Sequence, residues 1–153
     1  MPVIGFAEDV PHGVVLQSRD DTCVPAAAAS LLRSLNVYTT EVEMARLTRV
    51  RSGLGTTPVR ALHGIERRLA GTPYHARLVQ VPVHDLPDLP MPLLATMRLA
   101  GFPPRQHMVV VEARHGSNLH IIDPACGRVV LAADDFVHQC TGVAILVTRR
   151  AAW

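Results

Sequence analysis

Residues 17–35 read QSRDDTCVPAAAASLLRSL, and this stretch decides the fold. A polar loop that carries Gln17 leads to Cys23, and an alanine- and leucine-rich segment begins directly behind the cysteine. The composition predicts a helix from Cys23 to about Leu35, with Pro25 in the first turn, where its missing N–H has no partner to lose. Unpaired N–H groups and the macrodipole at a helix N-terminus favour negative charge, so a thiolate at Cys23 is stabilised. This is the usual setting of a nucleophilic cysteine.

The predicted helix has an apolar face and a polar approach. Leu31, Leu32 and Leu35 fall on one side at helical spacing, which indicates a stripe that faces the core. Asp20 and Asp21 precede the cysteine and are predicted to cap the helix N-terminus. The cysteine therefore stands where a packed helix meets a polar loop.

Two further helices follow, and then the hydrophobic period changes from helix to strand. Thr39 and Thr40 mark the start of a second helix over about 41–49, and Pro58 opens a third that stops at Gly71. Strands are predicted at 74–81, 92–97, 106–113, 119–123, 128–131 and 143–147, with a loop at 83–92, a turn at 101–104 and a short acidic helix at 132–138. We predict one α+β domain over residues 1–153, with an N-terminal helical half packed on a C-terminal, mostly antiparallel sheet.

The composition is that of a compact globular chain. Its 153 residues are 48% hydrophobic with a mean hydropathy of +0.21, which suits one domain with a sizeable core. The net charge is +2, and the basic residues are all arginines, adjacent only in Arg67-Arg68 and Arg149-Arg150, so nucleic acid is not an expected partner. No apolar run is long enough to span a membrane, and residues 1–10 lack a secretory signal. We expect a cytoplasmic protein, or one already trimmed of its signal.

The cysteines, at 23, 126 and 140, form no CxxC pair, and none of the eight histidines falls in an HExxH pattern. No metal site and no cofactor are therefore expected. A disulfide between Cys126 and Cys140 is not expected either, because nothing marks the chain as secreted.

His107 and Asp123 stand sixteen residues apart on two predicted strands. Side chains alternate between the faces of a strand, so the connecting loop decides whether the two residues share a face. An odd-numbered loop centred near residue 115 or 116 places them on one face, where they can hydrogen-bond. A loop of two or four residues places them on opposite faces. We expect the odd-numbered loop and a His107–Asp123 pair.

Cys23, His107 and Asp123 supply the three parts of a cysteine hydrolase: a nucleophile, a general base and acid, and a carboxylate that fixes the imidazole tautomer. Gln17 can donate a side-chain N–H to the oxyanion of the tetrahedral intermediate, beside the backbone N–H of Cys23. Each residue alone has a plainer interpretation. A cysteine before an alanine run is often an inert core residue, a histidine at a strand start is often structural, and Asp-Pro is often a turn. The combination supports the catalytic hypothesis.

These elements resemble the double-glycine-leader peptidases, a family of papain-like cysteine peptidases best known as N-terminal domains of bacteriocin-exporting ABC transporters. The resemblance covers about residues 14–147. It rests on Gln17 six residues before Cys23, on QHMVVV at 106–111 and on IIDP at 121–124.

The resemblance implies a papain-like fold and a site that needs no metal or cofactor. It implies Cys23 as nucleophile, His107 as base and acid, Asp123 as the orienting carboxylate and Gln17 as the oxyanion donor. The implied partners are a peptide or protein substrate, with small residues such as a double glycine before the scissile bond, and a separate transporter or secretion partner. Two positions depart from the family pattern: Val24 stands where the family has glycine, and Thr22 stands where it commonly has aspartate or serine.

Three hypotheses remain open on the sequence. The first is a free-standing cysteine peptidase. The second is an inactive peptide-binding or adaptor domain of the same fold, against which the intact Cys23 argues. The third is a papain-like acyltransferase, which uses the same three side chains and passes the acyl group to an amine or another acceptor.

Overall fold

The computed structural model describes residues 13–99 and 105–151. Within these ranges, three helices come first: α1 at Cys23–Ser34, α2 at Glu41–Leu47 and α3 at Pro58–Leu69. The strands are β1 (Tyr74–Gln80), β2 (Leu93–Leu99), β3 (Arg105–His115), β4 (Asn118–Asp123), β5 (Gly127–Ala132) and β6 (Cys140–Arg149). A 3₁₀ helix at Val83–Asp88 occupies the predicted loop, and a short helix, α4 (Ala133–Val137), precedes β6. The predicted order of elements is confirmed, and the predicted turn at 101–104 lies outside the described residues.

Local hydrogen bonds explain where α2 and α3 begin. The hydroxyl of Thr40 accepts the N–H of Glu43 at 3.1 Å, and that of Thr57 accepts the N–H of Arg60 at 3.2 Å. Each threonine thereby satisfies one of the donors that a helix start leaves unpaired. Pro58 holds the first position of α3, as predicted.

Two helix ends differ from the prediction. The N-cap of α1 is Thr22, whose side chain makes no capping hydrogen bond. Asp21 lies one residue too early to cap α1, and its carboxylate accepts the N–H of Gly53 at 2.7 Å instead. At its other end, α2 stops at Leu47 and not at 49, because Arg49 adopts a left-handed φ of +57°.

The strands form one antiparallel sheet in the order β1–β6–β2–β3–β4–β5. The first three helices pack on one face, where a core forms that includes Leu31, Leu32, Met44, Ile65 and Val110. The 3₁₀ helix and α4 contribute Leu86 and Phe136 to a second core, which also contains Leu93, Val111 and Ile121. The sheet therefore has apolar residues on both faces, and the helical face carries α1.

The β3–β4 hairpin has a shorter loop than we expected. His115 pairs with Asn118, so the connection consists of Gly116 and Ser117. The expected odd-numbered loop is wrong. In a regular hairpin this two-residue loop would place His107 and a residue sixteen positions later on opposite faces.

A β-bulge restores the shared face. Glu112 is an extra residue on β3, at the point where the register of the hairpin shifts. Below the bulge Val110 pairs with Ile122. Continued by one residue, the same register places Asp123 opposite Val109, which lies two residues from His107 along β3. Residues two apart on a strand share a face, so the predicted pairing holds for a reason that the sequence did not show.

Candidate active site

Cys23 is the first residue of α1 and lies half-buried at the edge of the first core. The four alanines at 26–29 behind it are completely buried, which seats the start of the helix firmly on the sheet. Because the side chain of Thr22 makes no capping hydrogen bond, it does not occupy the first-turn N–H groups of α1. The N-terminus of α1 thus presents positive partial charge beside the thiol.

His107 connects the thiol to a carboxylate. Its Nε2 lies 2.7 Å from Oδ1 of Asp123, and its ring lines the same cleft as Cys23, close enough for the thiol to affect its pKa. The imidazole is 8% exposed and the carboxylate 26% exposed, so water competes little for the bond between them. With Nε2 bound to Asp123, Nδ1 is the ring nitrogen left to exchange a proton with Cys23.

Electrostatics favour a charged pair. Burial lowers the pKa of His107, but its hydrogen bonds and its attraction to Asp123 and Cys23 outweigh burial and raise that pKa to about 9. Burial raises the pKa of Asp123, but hydrogen bonds from His107 and from the N–H of Ala125 lower it below its usual range. At neutral pH the pair is therefore an imidazolium beside a carboxylate.

A backbone hydrogen bond connects Gln17 to the residue that follows Asp123. Its N–H donates to the carbonyl of Pro124 at 2.7 Å, directly after Asp123. Its side-chain Nε2 donates to the carbonyl of Arg19 at 2.9 Å, and its Oε1 is buried without a hydrogen-bond partner among the described residues. The structure thus pairs His107 with Asp123 and places Cys23 in the same cleft as His107. Gln17 is not among the residues that line the cleft at Cys23.

Two carboxylates hold the loop before Cys23 through contacts that the sequence did not predict. Glu41, the first residue of α2, accepts the N–H of Ser18 at 2.7 Å through Oε2. Asp21 lies 3.2 Å from Nε of Arg19 and accepts the N–H of Gly53. Glu41 stands at the start of the second predicted helix, and no local pattern in the sequence indicates which distant N–H it reaches.

A cleft of about 1120 Å³ opens over Cys23 and His107. One side is the segment 51–60, where Leu54 and Val59 expose 80% and 53% of their surface. Val24 also lines the cleft, although it is 6% exposed and belongs to the first core. The cleft therefore offers an open, partly apolar channel that leads to the thiol.

The other two cysteines are in different environments from Cys23. Burial raises the pKa of Cys140 to about 12, and burial together with the charge of Asp123 raises the pKa of Cys126. All three thiols are free. No cluster of three or more His, Cys, Asp or Glu side chains suited to a metal ion occurs among the described residues. Within the same ranges, no helix has both the length and the apolarity that a membrane span requires.

The arrangement of these elements and side chains matches a known kind of enzyme fold. Helices packed on an antiparallel sheet, with a helix-start thiol beside an imidazole and a carboxylate, form a papain-like cysteine peptidase fold. The sequence model of the Peptidase C39 family matches residues 12–152. The chain therefore belongs to the Peptidase C39 family.

The chain is also similar to solved structures and to a sequence relative. The peptidase domain of Streptococcus ComA, a bifunctional ABC transporter of a quorum-sensing pathway, has a TM-score of 0.75 at 22% identity, over 91% of this chain and 99% of that domain. A double glycine motif protease from an AMS/PCAT transporter, in complex with the leader peptide, has a TM-score of 0.75 at 19% identity, over 90% of this chain and 91% of that protease chain. An uncharacterized protein of Methanothermobacter marburgensis is 31% identical over 89% of this chain and 88% of its own length. The two solved structures are similar in fold.

Proposed function

We propose that the protein is a cysteine peptidase that cleaves a peptide bond through an acyl-thioester on Cys23. One observation supports this most: His107, which shares the cleft with Cys23 at the start of α1, is held by Asp123 at 2.7 Å. Membership of the Peptidase C39 family points to the same chemistry.

The proposed reaction gives each of the three side chains a distinct role. The sulfur of Cys23 attacks the carbonyl carbon of the substrate, and the C–N bond breaks as the His107 imidazolium gives its proton to the leaving amine. Neutral His107 then takes a proton from water, which attacks the thioester, and the C–S bond breaks to release the carboxylic acid and the Cys23 thiolate beside the imidazolium. Asp123 keeps the imidazole oriented and stabilises its charged form, without itself taking up the proton.

The oxyanion of the tetrahedral intermediate needs donors at the start of α1. We assign this role to the backbone N–H of Cys23 and the side chain of Gln17. One N–H of the Gln17 amide is bound to the Arg19 carbonyl, which orients the group, and the amide carries a second N–H for the oxyanion. The Gln17–Pro124 backbone bond supports the assignment, because it joins the loop of the donor to the turn after Asp123.

The substrate that we propose is a peptide with small residues before the scissile bond. The similar fold of a double glycine motif protease supports this class, and so does Val24. Its branched side chain lines the cleft beside Cys23 and takes space that a larger substrate residue would need. A leader-type substrate implies a transporter or secretion partner.

The proposal can be tested by alkylation with iodoacetamide at neutral pH, followed by mass spectrometry of the three cysteines. Cys23 should react faster than Cys126 and Cys140, whose raised pKa values keep them protonated. His107→Ala should slow the alkylation of Cys23 and leave the other two thiols unchanged. Equal labelling of all three cysteines would contradict the catalytic role of Cys23, and so would a Cys23 alkylation rate that His107→Ala leaves unchanged.

A peptide library then separates the remaining alternatives. Cleavage by the wild-type protein, but not by Cys23→Ala, is expected for a peptidase. If Cys23 is alkylated rapidly but no peptide is cleaved, the protein is a binding domain with a reactive thiol. If an added primary amine ends up joined to the acyl fragment in preference to water, the protein is an acyltransferase.

A further inference from the structure

A second groove lies at the opposite end of α1 from Cys23. It has a volume of about 470 Å³, and Tyr38, Arg68, Tyr74 and Arg149 are among the residues that line it. Because α1 contains twelve residues, its two ends are about 18 Å apart. The groove shares no lining residue with the catalytic cleft. It is therefore a separate feature of the surface.

Arginines and tyrosines are paired around this groove. The guanidinium of Arg149 lies 5.4 Å from the ring centroid of Tyr74, and that of Arg33 lies 4.6 Å from the centroid of Tyr38. The Nε of Arg33 and the Nε of Arg150 each donate to a backbone carbonyl, at 2.8 and 3.4 Å. These contacts hold the cations in place before any partner arrives, which lowers the entropy lost on binding.

The charges around the groove do not balance. Among the described residues, the carboxylate that pairs with an arginine of this groove is that of Glu43, whose Oε1 lies 3.6 Å from Nε of Arg68. The C-termini of α1 and α3 bring partial negative charge, and Arg33 and Arg68 in their last turns offset it. Arg149 and Arg150 have no carboxylate within ion-pair distance in the described part of the chain, so their positive charge is in excess.

We propose that this groove docks an acidic peptide segment of a partner protein. Carboxylates of the segment bind Arg149, which lines the groove, and Arg150, whose Nε is held at the carbonyl of the lining residue Tyr74. The planar guanidinium groups suit carboxylates. The rings of Tyr38, which is 67% exposed, and of Tyr74 provide the contact area for the segment. Tyrosine and arginine are the residue types that dominate binding hot spots. This surface does not depend on the chemistry of Cys23.

The test uses the full chain with Cys23→Ala, so that no probe is cleaved. Fluorescence anisotropy is measured with a labelled decapeptide that contains four glutamates, and with the same peptide carrying four glutamines. The test variant is Arg149→Gln/Arg150→Gln. One control is Arg77→Gln, an exposed arginine on the opposite face of β1 from Tyr74. The second is Arg60→Gln in the catalytic cleft.

We expect the glutamate peptide to bind and the glutamine peptide to bind much more weakly. The double variant should lower the affinity about tenfold, and both controls should bind as the parent does. Arg149→Lys, which keeps the charge and loses the planar fork, should cause a smaller loss. This single variant also serves as the test if the double variant fails to fold.

Other results would overturn the proposal. The first is that the glutamate peptide does not bind. The second is that neither the double variant nor Arg149→Lys changes its affinity. The third is that Arg77→Gln loses as much affinity as the double variant, which would show a response to net charge alone. A loss confined to Arg60→Gln would place acidic recognition in the catalytic cleft. Equal competition by single-stranded DNA of the same charge would show a general anion surface.

Discussion

His107 and Asp123 hydrogen-bond at 2.7 Å across a hairpin whose two-residue loop alone would turn them to opposite faces. The extra residue at the bulge, Glu112, makes the contact possible. Its carboxylate pairs with Arg128 on β5, with Nε 3.0 Å from Oε1, so the bulge is connected to the next but one strand. The sheet, and not the turn, thus sets the geometry of the candidate site.

Asp123→Asn should change the pH dependence of peptide cleavage. In the wild-type protein kcat/KM should fall as the pH rises through about 9, because His107 loses the proton that the leaving amine needs. Asparagine removes the negative charge that helps to hold this proton. The fall of kcat/KM at alkaline pH should therefore begin at lower pH, and the maximal rate of cleavage should drop about 10²-fold. A fall that begins at the same pH would show that Asp123 does not tune His107.

Gln17→Ala should separate the two reactions of Cys23. Loss of an oxyanion donor should lower kcat for peptide cleavage by about 10²–10³. Alkylation by iodoacetamide forms no oxyanion, so its rate should stay near the wild-type value. Gln80→Ala, an exposed change on β1, is the control. Equal losses in both reactions would mean that Gln17 supports the structure of the loop and does not stabilise the oxyanion.

Glu41→Ala should lower kcat about tenfold with little change in KM, because the Ser18 N–H loses its acceptor and the loop of Gln17 loosens. Glu41→Gln should retain more activity, since its amide oxygen can still accept the bond. Glu66→Gln on the exposed side of α3 is the matched control. Steady-state kinetics on a cleaved library peptide decide the matter. A rise in KM at constant kcat would assign Glu41 to substrate binding.

Val24→Ala should affect both stability and specificity. The buried methyl groups of Val24 contribute to the first core, so the free energy of unfolding in urea should fall by about 1–2 kcal/mol. The widened cleft should also accept larger residues before the scissile bond. Val42→Ala is the control, because Val42 on α2 is 79% exposed and should leave both properties unchanged. An unaltered library profile would remove Val24 from the specificity pocket.

The charged state of His107 should also be visible in stability. Its pKa is about 9 in the folded protein and about 6.5 when unfolded, so the folded state holds this proton more tightly. The stabilisation is complete below pH 6.5 and is lost as the pH rises through about 9. The difference in unfolding free energy between wild type and His107→Gln should shrink over that interval. A difference that stays constant with pH would contradict the raised pKa.

Much of this architecture was predictable from local sequence. The caps at Thr40 and Thr57, Pro58 at a helix start and the buried face of α1 depend on residues within one or two turns of each other. The strands followed from the change to a period of two. For these reasons the order of elements and the position of Cys23 at a helix start could be predicted.

The contacts that complete the candidate site were not predictable in the same way. The bulge at Glu112, the reach of Glu41 to Ser18 and the use of Asp21 on Gly53 all join distant parts of the chain. Each depends on strand register or on how elements pack, which many residues determine together.

The sequence by itself determined which chemical groups are present and on which elements they stand: a thiol at the start of α1, an imidazole on β3 and a carboxylate at the end of β4. Only the tertiary structure decided that Asp123 and His107 share a face, and that Arg68 and Arg149 line one groove. The physical reason is that local propensity acts over a few residues. Register, bulges and surface charge patterns arise from contacts between residues far apart in the chain.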